Sequence, residues 1–408
     1  MKIWIISKYA SSLEVGFESR LFALARRFVK SGNFVAIISS DSNHFGNYPL
    51  YKNTYNFEKF EKLNVLRIRT FKYLKTASIQ RILSWIDFEI KLFFAPLKSF
   101  DKPDIIVVSS LSLITILNGI RLKYKYGAKL IFEIRDIWPL TIIEYGGYKP
   151  WNPFVLLLSA IEKYGYIKSD LIVGTMPNLN NHINSILGLN NKKCVCVPFG
   201  FDSNFFLSSI VEPGKFQIDH NLPIGKFIIG YAGSIGISNG LQAFIDCAKK
   251  MVNDERFIFT LLGDGDSKSD FMRQTTGYSN IYFIPKINRE KVASYLALCN
   301  VLYFSSLNNS IWDFGWSPNK LIDYMMSGKP VLASYSGHQS MINEAKSGFF
   351  IPAEDSEAIK TALENMIAMN PDDLVKMGND GKDWIVKNRD WDIVSRKYLE
   401  IMNELIND

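Results

Sequence analysis

The 408-residue chain reads as an α/β protein made of two doubly wound halves, each built on a parallel sheet. Three observations predict this. Apolar runs of strand length alternate with helical patterns along most of the chain, the order expected of parallel strands joined by crossover helices. The runs are continuously apolar rather than alternating, as in strands of a sheet covered on both faces. The alternation also pauses once, across the Gly-, Pro-, Ser- and Asp-rich stretch Pro198–Gly225, and then restarts. Length alone calls for two or three domains, and 47% hydrophobic residues supply their cores.

In the first half, strands are expected at Ile3–Ile6, Val35–Ser39, Val65–Ile68, Ile105–Ser109, Leu130–Ile134, Leu171–Val173 and Val195–Val197. Between the first two, Ser19–Ser31 carries Leu21, Leu24, Ala25 and Phe28 at helical spacing and stops at Gly32. In the second half, strands are expected at Phe227–Tyr231, Phe257–Leu262, Ile281–Ile284, Val301–Phe304 and Val331–Ser334. The domain boundaries then fall at 1–198, a linker 199–225, 226–385, and a C-terminal helix within 386–408 that packs back on the first domain.

Composition narrows the function classes. A net charge of +7 favours an anionic partner without naming one. Cys194, Cys196, Cys247 and Cys299 lack paired Cys-x-x-Cys spacing, which suits a reducing cytosol. The four histidines are scattered without ligand spacing. No run approaches the roughly 18 apolar residues of a spanning helix, and the apolar start Ile3–Ile6 is shorter than the core of a secretion signal. The expectation is a cytoplasmic protein that is soluble or peripheral on a membrane. No recognised nucleic-acid reader motif accompanies the charge.

Two Rossmann-like halves raise the question of a dehydrogenase, but the first strand is followed by Ser7-Lys8-Tyr9-Ala10-Ser11-Ser12-Leu13-Glu14-Val15-Gly16, with a single glycine. The dinucleotide fingerprint fails there. Gly230-Tyr231-Ala232-Gly233-Ser234-Ile235-Gly236 ends a strand with G-x-x-G-x-x-G spacing, which by itself describes a tight turn equally well. It still feeds a helix start, where backbone N–H groups can approach an anion.

The most informative stretch is Trp312–Val331. Ser317 is a good N-cap and Pro318 suits the first helical position, while Gly328 and Pro330 end the helix. A short helix is expected over 318–327, with Lys320 in its first turn. A cation there opposes the helix dipole. An external anion resolves the conflict.

The run Ser317-Pro318-Asn319-Lys320-Leu321, followed by Asp323-Tyr324-Met325 and Gly328-Lys329-Pro330-Val331, resembles the signature of glycosyltransferase family 4. It is nearest the capsule and O-antigen branch that includes N-acetylfucosamine transferases. Three other segments agree in order: Gly16-Phe17-Glu18-Ser19-Arg20, Phe132-Glu133-Ile134-Arg135-Asp136-Ile137-Trp138-Pro139, and Tyr231–Gly236 with Leu262-Gly263-Asp264-Gly265. The resemblance implies the GT-B fold, two Rossmann-like domains facing across a cleft. It implies a retaining, metal-independent glycosyltransferase that moves an N-acetylated deoxyhexosamine or hexosamine from a UDP-sugar to a lipid-linked saccharide in O-antigen or capsule synthesis. No cofactor is implied.

The resemblance assigns the donor nucleotide to Gly16, Gly233, Ser234, Gly236, Asp264, Pro285, Lys286, Ser317, Pro318, Asn319, Lys320, Leu321 and Asp323. It assigns the acceptor to Glu18, Arg20 and Trp138, and catalysis to Glu133, Arg135, Asp136 and Lys320. Two departures stand out. The family's glycine-loop Arg and Lys are replaced by Ser234 and Asn239, and the first of its two acids is Gly315, leaving Asp323. The diphosphate must then rely on Lys320, Arg135 and helix N-termini. The chemistry itself needs preorganised donors at a leaving diphosphate, usually the largest catalytic term. An epimerase of the same fold and a non-catalytic sugar-nucleotide-binding subunit are the competing readings.

Asp264-Gly265-Asp266 spells D-x-D, a divalent-metal motif elsewhere, and begins like an EF-hand, but Lys268 and Ser269 stand where a ligand and a glycine are needed. No bound metal is expected. Finally, Arg67–Lys98 holds seven basic residues against Asp87 and Glu89, with aromatics interleaved. A basic amphipathic stretch lies in an anionic lipid surface, each charge contributing about 1 kcal/mol. The expected location is the inner face of the cytoplasmic membrane.

Overall fold

The computed structural model describes residues 1–43, 47–73, 78–188, 192–203, 206, 211–316 and 319–407. The chain forms two compact units, Met1–Gly200 with Trp391–Asp408, and Phe201–Asp390.

The sheet of the first unit holds β1 (Lys2–Ile6), β2 (Phe34–Ser40), β3 (Tyr55–Phe60), β4 (Leu63–Ile68), β5 (Ile105–Ser109), β6 (Lys129–Ile134), β7 (Leu171–Gly174) and β8 (Cys194–Cys196). Its order is β3-β4-β2-β1-β5-β6-β7-β8. All pairings are parallel except β3 with β4. The antiparallel β3 escapes the apolar-run criterion because its sequence, YNFEKF, belongs to a half-exposed edge strand.

Helices cover both faces. The helices α1 (Arg20–Lys30), α2 (Ile79–Phe93), α3 (Thr115–Tyr126), α4 (Leu140–Glu144), α5 (Pro153–Lys168) and α6 (Leu179–Leu187) come in chain order. On one face, Ile3, Ile5, Val35, Ile37 and Val107 pack with Phe28 of α1 and with Tyr398 and Met402 near the C-terminus. On the other, α3 and α5 approach so closely that a Cβ at Gly119 would lie 2.5 Å from Val108 and one at Gly165 2.9 Å from Phe132. Close helix–sheet packing, rather than flexibility, accounts for glycine at both positions.

The second unit runs α7 (Pro213–Asp219), β9 (Phe227–Ala232), α8 (Gln242–Lys250), β10 (Phe257–Leu262), α9 (Lys268–Gln274), β11 (Ile281–Ile284), α10 (Arg289–Leu298), β12 (Val301–Ser305), α11 (Asn319–Met326), β13 (Val331–Ser334), β14 (Gly348–Ile351), α12 (Ser356–Ala368) and α13 (Pro371–Arg389). Its sheet is wholly parallel, in the order β11-β10-β9-β12-β13-β14. Strand order reverses between β9 and β12. A crevice beyond the strand ends at such a point is where open α/β sheets bind ligands.

The unit boundaries differ from the expected ones. Most of the supposed linker belongs to the second unit, where α7 packs on α10. At the other end, α13 continues unbroken to Arg389 because nothing in 385–389 stops a helix. The terminal helix α14 (Trp391–Asn407) belongs to the first unit, where Trp391 lies against Gly200 and Phe199.

Two residues assigned to the site are instead inside the first unit. Arg20 and Glu133 are fully buried and paired at 3.3 Å. Arg20 also donates to the carbonyls of Val197 and Pro198, at 2.8 and 2.5 Å. Glu133 is therefore not a carboxylate of an exposed rim, and Arg20 is not an acceptor contact. Together they fasten the start of α1 to the end of β6 and to the chain leaving β8. Removing one partner of such a pair strands the other charge, at a cost of about 3–5 kcal/mol. Arg20→Met should lose that much unfolding free energy in urea titration.

Candidate functional site

The reversal point of the second sheet opens into a cavity of about 870 Å³. Its floor is backbone. The loop after β9 and the loop after β10 lie directly against each other: Gly233 N donates to Leu262 O at 3.0 Å and Ile235 N to Asp264 O at 2.8 Å. This contact dictates glycine. Gly263 has φ +144° and its Cβ would fall 1.9 Å from Gly233 O, while Gly265 has φ +156° and its Cβ would fall 2.5 Å from Ile235 O. With no side chains between them, the two loops present bare backbone to the cavity.

One wall is α11. Its buried Leu321, Ile322, Met325 and Met326 face the core. The Tyr324 hydroxyl pins it to the end of β9, accepting from Ala232 N at 2.8 Å and donating to Ala232 O at 3.1 Å. That docking aims Asn319, Lys320 and Asp323 into the cavity.

Lys320 is held with unusual care. Its Nζ donates to Tyr231 Oη at 2.9 Å and to Asn239 Oδ1 at 2.6 Å. It also lies 4.8 Å from the Tyr231 ring centre and 5.5 Å from that of Phe304. Tyr231 and Asn239 in turn donate to Ser234 O, at 2.6 and 2.9 Å, which ties the ammonium to the glycine loop. No carboxylate pairs with Lys320 among the described residues. Burial pushes its pKa down from 10.5 to about 8. A lysine so placed is a cation awaiting an anion.

Asp323, one turn further along α11, accepts both arms of Arg289 at 2.6 Å. Burial raises its pKa against the pull of that guanidinium. Arg289 opens α10 and is half exposed at the cavity. Sequence reasoning passed over it, although it carries the same signal as Lys320, a cation in the first turn of a helix.

The structure thus gathers Gly233, Ser234, Asp264, Lys286, Asn319, Lys320 and Asp323 around one cavity. Asp264 is exposed and accepts from Gly265 N at 2.9 Å. Gly236 precedes the short turn 237–239 and Pro285 is exposed after β11, neither lining the cavity. Leu321 is a correction: it is fully buried, because α11 turns it to the core while Lys320 and Asp323 face out. Ser317 and Pro318 lie outside the described residues.

The remaining assigned residues belong to the first unit. Gly16, at φ +105°, closes the turn Leu13–Val15, and Glu18 pairs with Arg26 at 3.2 Å. At the end of β6, the Ser110 hydroxyl accepts from Arg135 N at 3.0 Å and donates to Asp136 O at 3.2 Å. The Arg135 guanidinium stacks 4.9 Å from the Phe199 ring, and Asp136 is exposed. Trp138 meets Trp85 edge-on at 5.7 Å, its indole N–H buried without a hydrogen-bond partner. Trp85 donates to Tyr9 Oη at 2.6 Å, as does Arg81 at 3.2 Å.

Residues 226–369 match the family model described as Glycosyl transferases group 1. Across the whole chain, the sucrose-phosphate synthase of Thermosynechococcus elongatus superposes with a TM-score of 0.74 at 15% identity, covering 100% of this chain and 99% of that one. The Escherichia coli trehalose-6-phosphate protein bound with UDP-2-fluoro glucose gives 0.75 at 12% identity, with the same coverage. The fold is GT-B. An uncharacterized glycosyltransferase of Methanocaldococcus jannaschii is 26% identical over 176 residues, 42% of this chain and 43% of the relative. The match therefore spans less than half of that relative's length. The segment that matches this family model contains every residue described above as lining the cavity.

The geometry makes one direct prediction. In a carbon-13 NMR titration of labelled lysines, four should titrate below the bulk near pH 10: Lys320 with a midpoint near 8, the buried Lys8 near 7, and Lys192 and Lys329, which burial also lowers. Lys320→Arg should remove only the first. A Lys320 midpoint at the bulk value would mean that its ammonium is fully hydrated.

Proposed function

We propose that the protein is a retaining, metal-independent glycosyltransferase that moves a sugar from a UDP-sugar to a lipid-linked saccharide. The sugar is an N-acetylated deoxyhexosamine or hexosamine, and the product belongs to O-antigen or capsule synthesis at the inner face of the cytoplasmic membrane. The observation that carries this reading is a lysine held, among the described residues, without a carboxylate partner in a nucleotide-sized cavity at the reversal point of a parallel sheet.

In this reading the diphosphate supplies the missing anion. Lys320 takes its charge, and the N–H groups at the start of α11 supply further donors. Because they are fixed before the donor arrives, they stabilise the departing diphosphate without reorganising. Asp323 accepts from the ribose hydroxyls, with Arg289 holding the carboxylate in orientation. The exposed Lys286 and the backbone beside it border the nucleobase. In the first unit, Arg135 and Asp136 serve catalysis and Trp138 serves the acceptor. The bound UDP-2-fluoro glucose of the Escherichia coli neighbour supports a uridine donor.

Two outcomes follow. Lys320→Ala should lower kcat/KM for the UDP-sugar by about 10- to 1000-fold, a lost charged contact of about 1.5–4 kcal/mol. The melting temperature without ligand should barely change. Affinity of the unmodified protein for the donor should fall as pH rises through about 8, since only the ammonium form binds the diphosphate, by up to about tenfold per pH unit. Flat calorimetric affinity from pH 7 to 9 would sink the assignment.

Transfer should also persist in excess EDTA. Loss of turnover on chelation, restored by magnesium or manganese, would return Asp264 and Asp266 to consideration as ligands.

A further inference from the structure

The segment expected to carry membrane attachment, Arg67–Lys98, is not one amphipathic stretch. Arg67 is buried in β4 and bonded to Ala10 O and Ser39, Lys72 pairs with Asp41, and Lys91 pairs with Asp87. Tyr73, Trp85 and Phe88 are buried too, and Lys75 lies outside the described residues. Most of its described charge and much of its aromatic content are used internally. What α2 turns outward is apolar: Ile79, Leu83, Ile86 and Ile90 repeat at intervals of four, three and four residues, and Ile79 is 77% exposed. A helix stripe normally faces the core. This one does not.

The stripe is not isolated. Helix α3 packs against both α2 and α5. At the far side, α5 exposes Leu157, Tyr164 and Ile167, and Trp151 just before it is 72% exposed. Between them α3 exposes Leu117 and Tyr124, so three adjacent helices carry exposed large apolar side chains.

Charge on the same helices identifies the occupant. Their three acids are all engaged: Glu89 is buried against Thr115 and Asn118, Glu162 is buried against His182 and Tyr166, and Asp87 is bonded to Lys91. The bases Arg121, Lys125, Lys163 and Lys168 remain toward the surface. Two copies meeting through this face would bring cations against cations. A bilayer with anionic headgroups meets both demands, taking the apolar side chains between its acyl chains and the cations among its phosphates. Trp151 suits the headgroup level. We infer that the outer face of α2, α3 and α5 is a docking surface for an anionic phospholipid bilayer. This deepens the proposed use of a lipid-linked acceptor and rests on it for its purpose, but vesicle binding is measured without turnover.

The test is co-sedimentation of the full chain with phosphatidylcholine vesicles, with and without phosphatidylglycerol. The unmodified protein should pellet with the anionic vesicles, less so as salt rises. Ile86→Glu with Leu157→Glu, both at exposed positions, should lower partitioning by on the order of tenfold or more. Its melting temperature and UDP-sugar binding should stay unchanged. Arg121→Glu with Lys125→Glu should remove the preference for phosphatidylglycerol. A dye on Leu83→Cys should shift to shorter wavelength with vesicles, which places the contact without a destabilising change. The inference is overturned if the unmodified protein pellets with neither vesicle. It also falls if the double variant pellets equally, or if light scattering shows a dimer that the double variant dissolves, which would assign the face to a second copy. Failure of UDP-sugar binding with pelleting intact would sink the donor reading alone.

Discussion

An ammonium withdrawn from water must be compensated, and the second unit is arranged around how Lys320 meets that requirement. Moving a lysine from 10.5 to about 8 corresponds to roughly 3 kcal/mol against its charged form. A carboxylate beside it would remove the penalty, and the protein places none there among the described residues. It supplies instead a phenol, an amide oxygen and two aromatic faces. These hold the ammonium in place without neutralising it. Charge is thereby left for a ligand, and the unfavourable energy of the empty site becomes favourable differential energy when an anion arrives.

The departure at Asn239 gains a meaning from this arrangement. The resemblance implies a lysine at that position, which would set a second cation against Lys320 in the empty site. Asparagine removes that repulsion and becomes an acceptor for Lys320. On the proposed reading fewer charges address the diphosphate, but Lys320 is fixed. Ser234 acts similarly through its backbone, whose carbonyl collects the hydrogen bonds of Tyr231 and Asn239. The glycines complete the design. Gly263 and Gly265 allow two loops to touch backbone to backbone, so the cavity floor is made of peptide groups rather than mobile side chains.

The strands were legible because a parallel sheet covered on both faces forces continuous apolar runs, as in Phe257–Leu262 and Ile281–Ile284. The edge strand β3 was not, since one side of its ladder faces no partner and its residues are mixed. In the site, local chemistry was readable and long-range pairing was not. Lys320 and Asp323 were visible from one helix and its signature. Arg289 required knowing that its side chain reaches Asp323, 34 positions away in the chain. The same blindness misplaced Arg20 and Glu133: 113 residues separate them, so neither could be read as the other's partner. Leu321 failed for a simpler reason. A short motif names consecutive residues, but a helix sends consecutive side chains to different faces.

The first unit shows how one sheet supports opposite surface chemistries. Its α1 face is closed twice, by α1 and by α14, whose Trp391, Tyr398 and Met402 join the core. Because the chain returns to seal that side, most apolar residues there are inward, and the exposed Ile393 and Ile406 of α14 reach only 37% and 36%. The α3 face has no such second cover. Its inner contacts are complete, down to the glycines at 119 and 165 that admit Val108 and Phe132, so the outward Ile79, Ile90, Leu157 and Ile167 do not compensate for a poorly packed interior. Nor do they follow from helix propensity, since β-branched isoleucine is a weaker helix former than leucine, lysine or glutamate at an exposed position. Neither folding nor solubility calls for them. Their placement accords with the bilayer-facing surface inferred above.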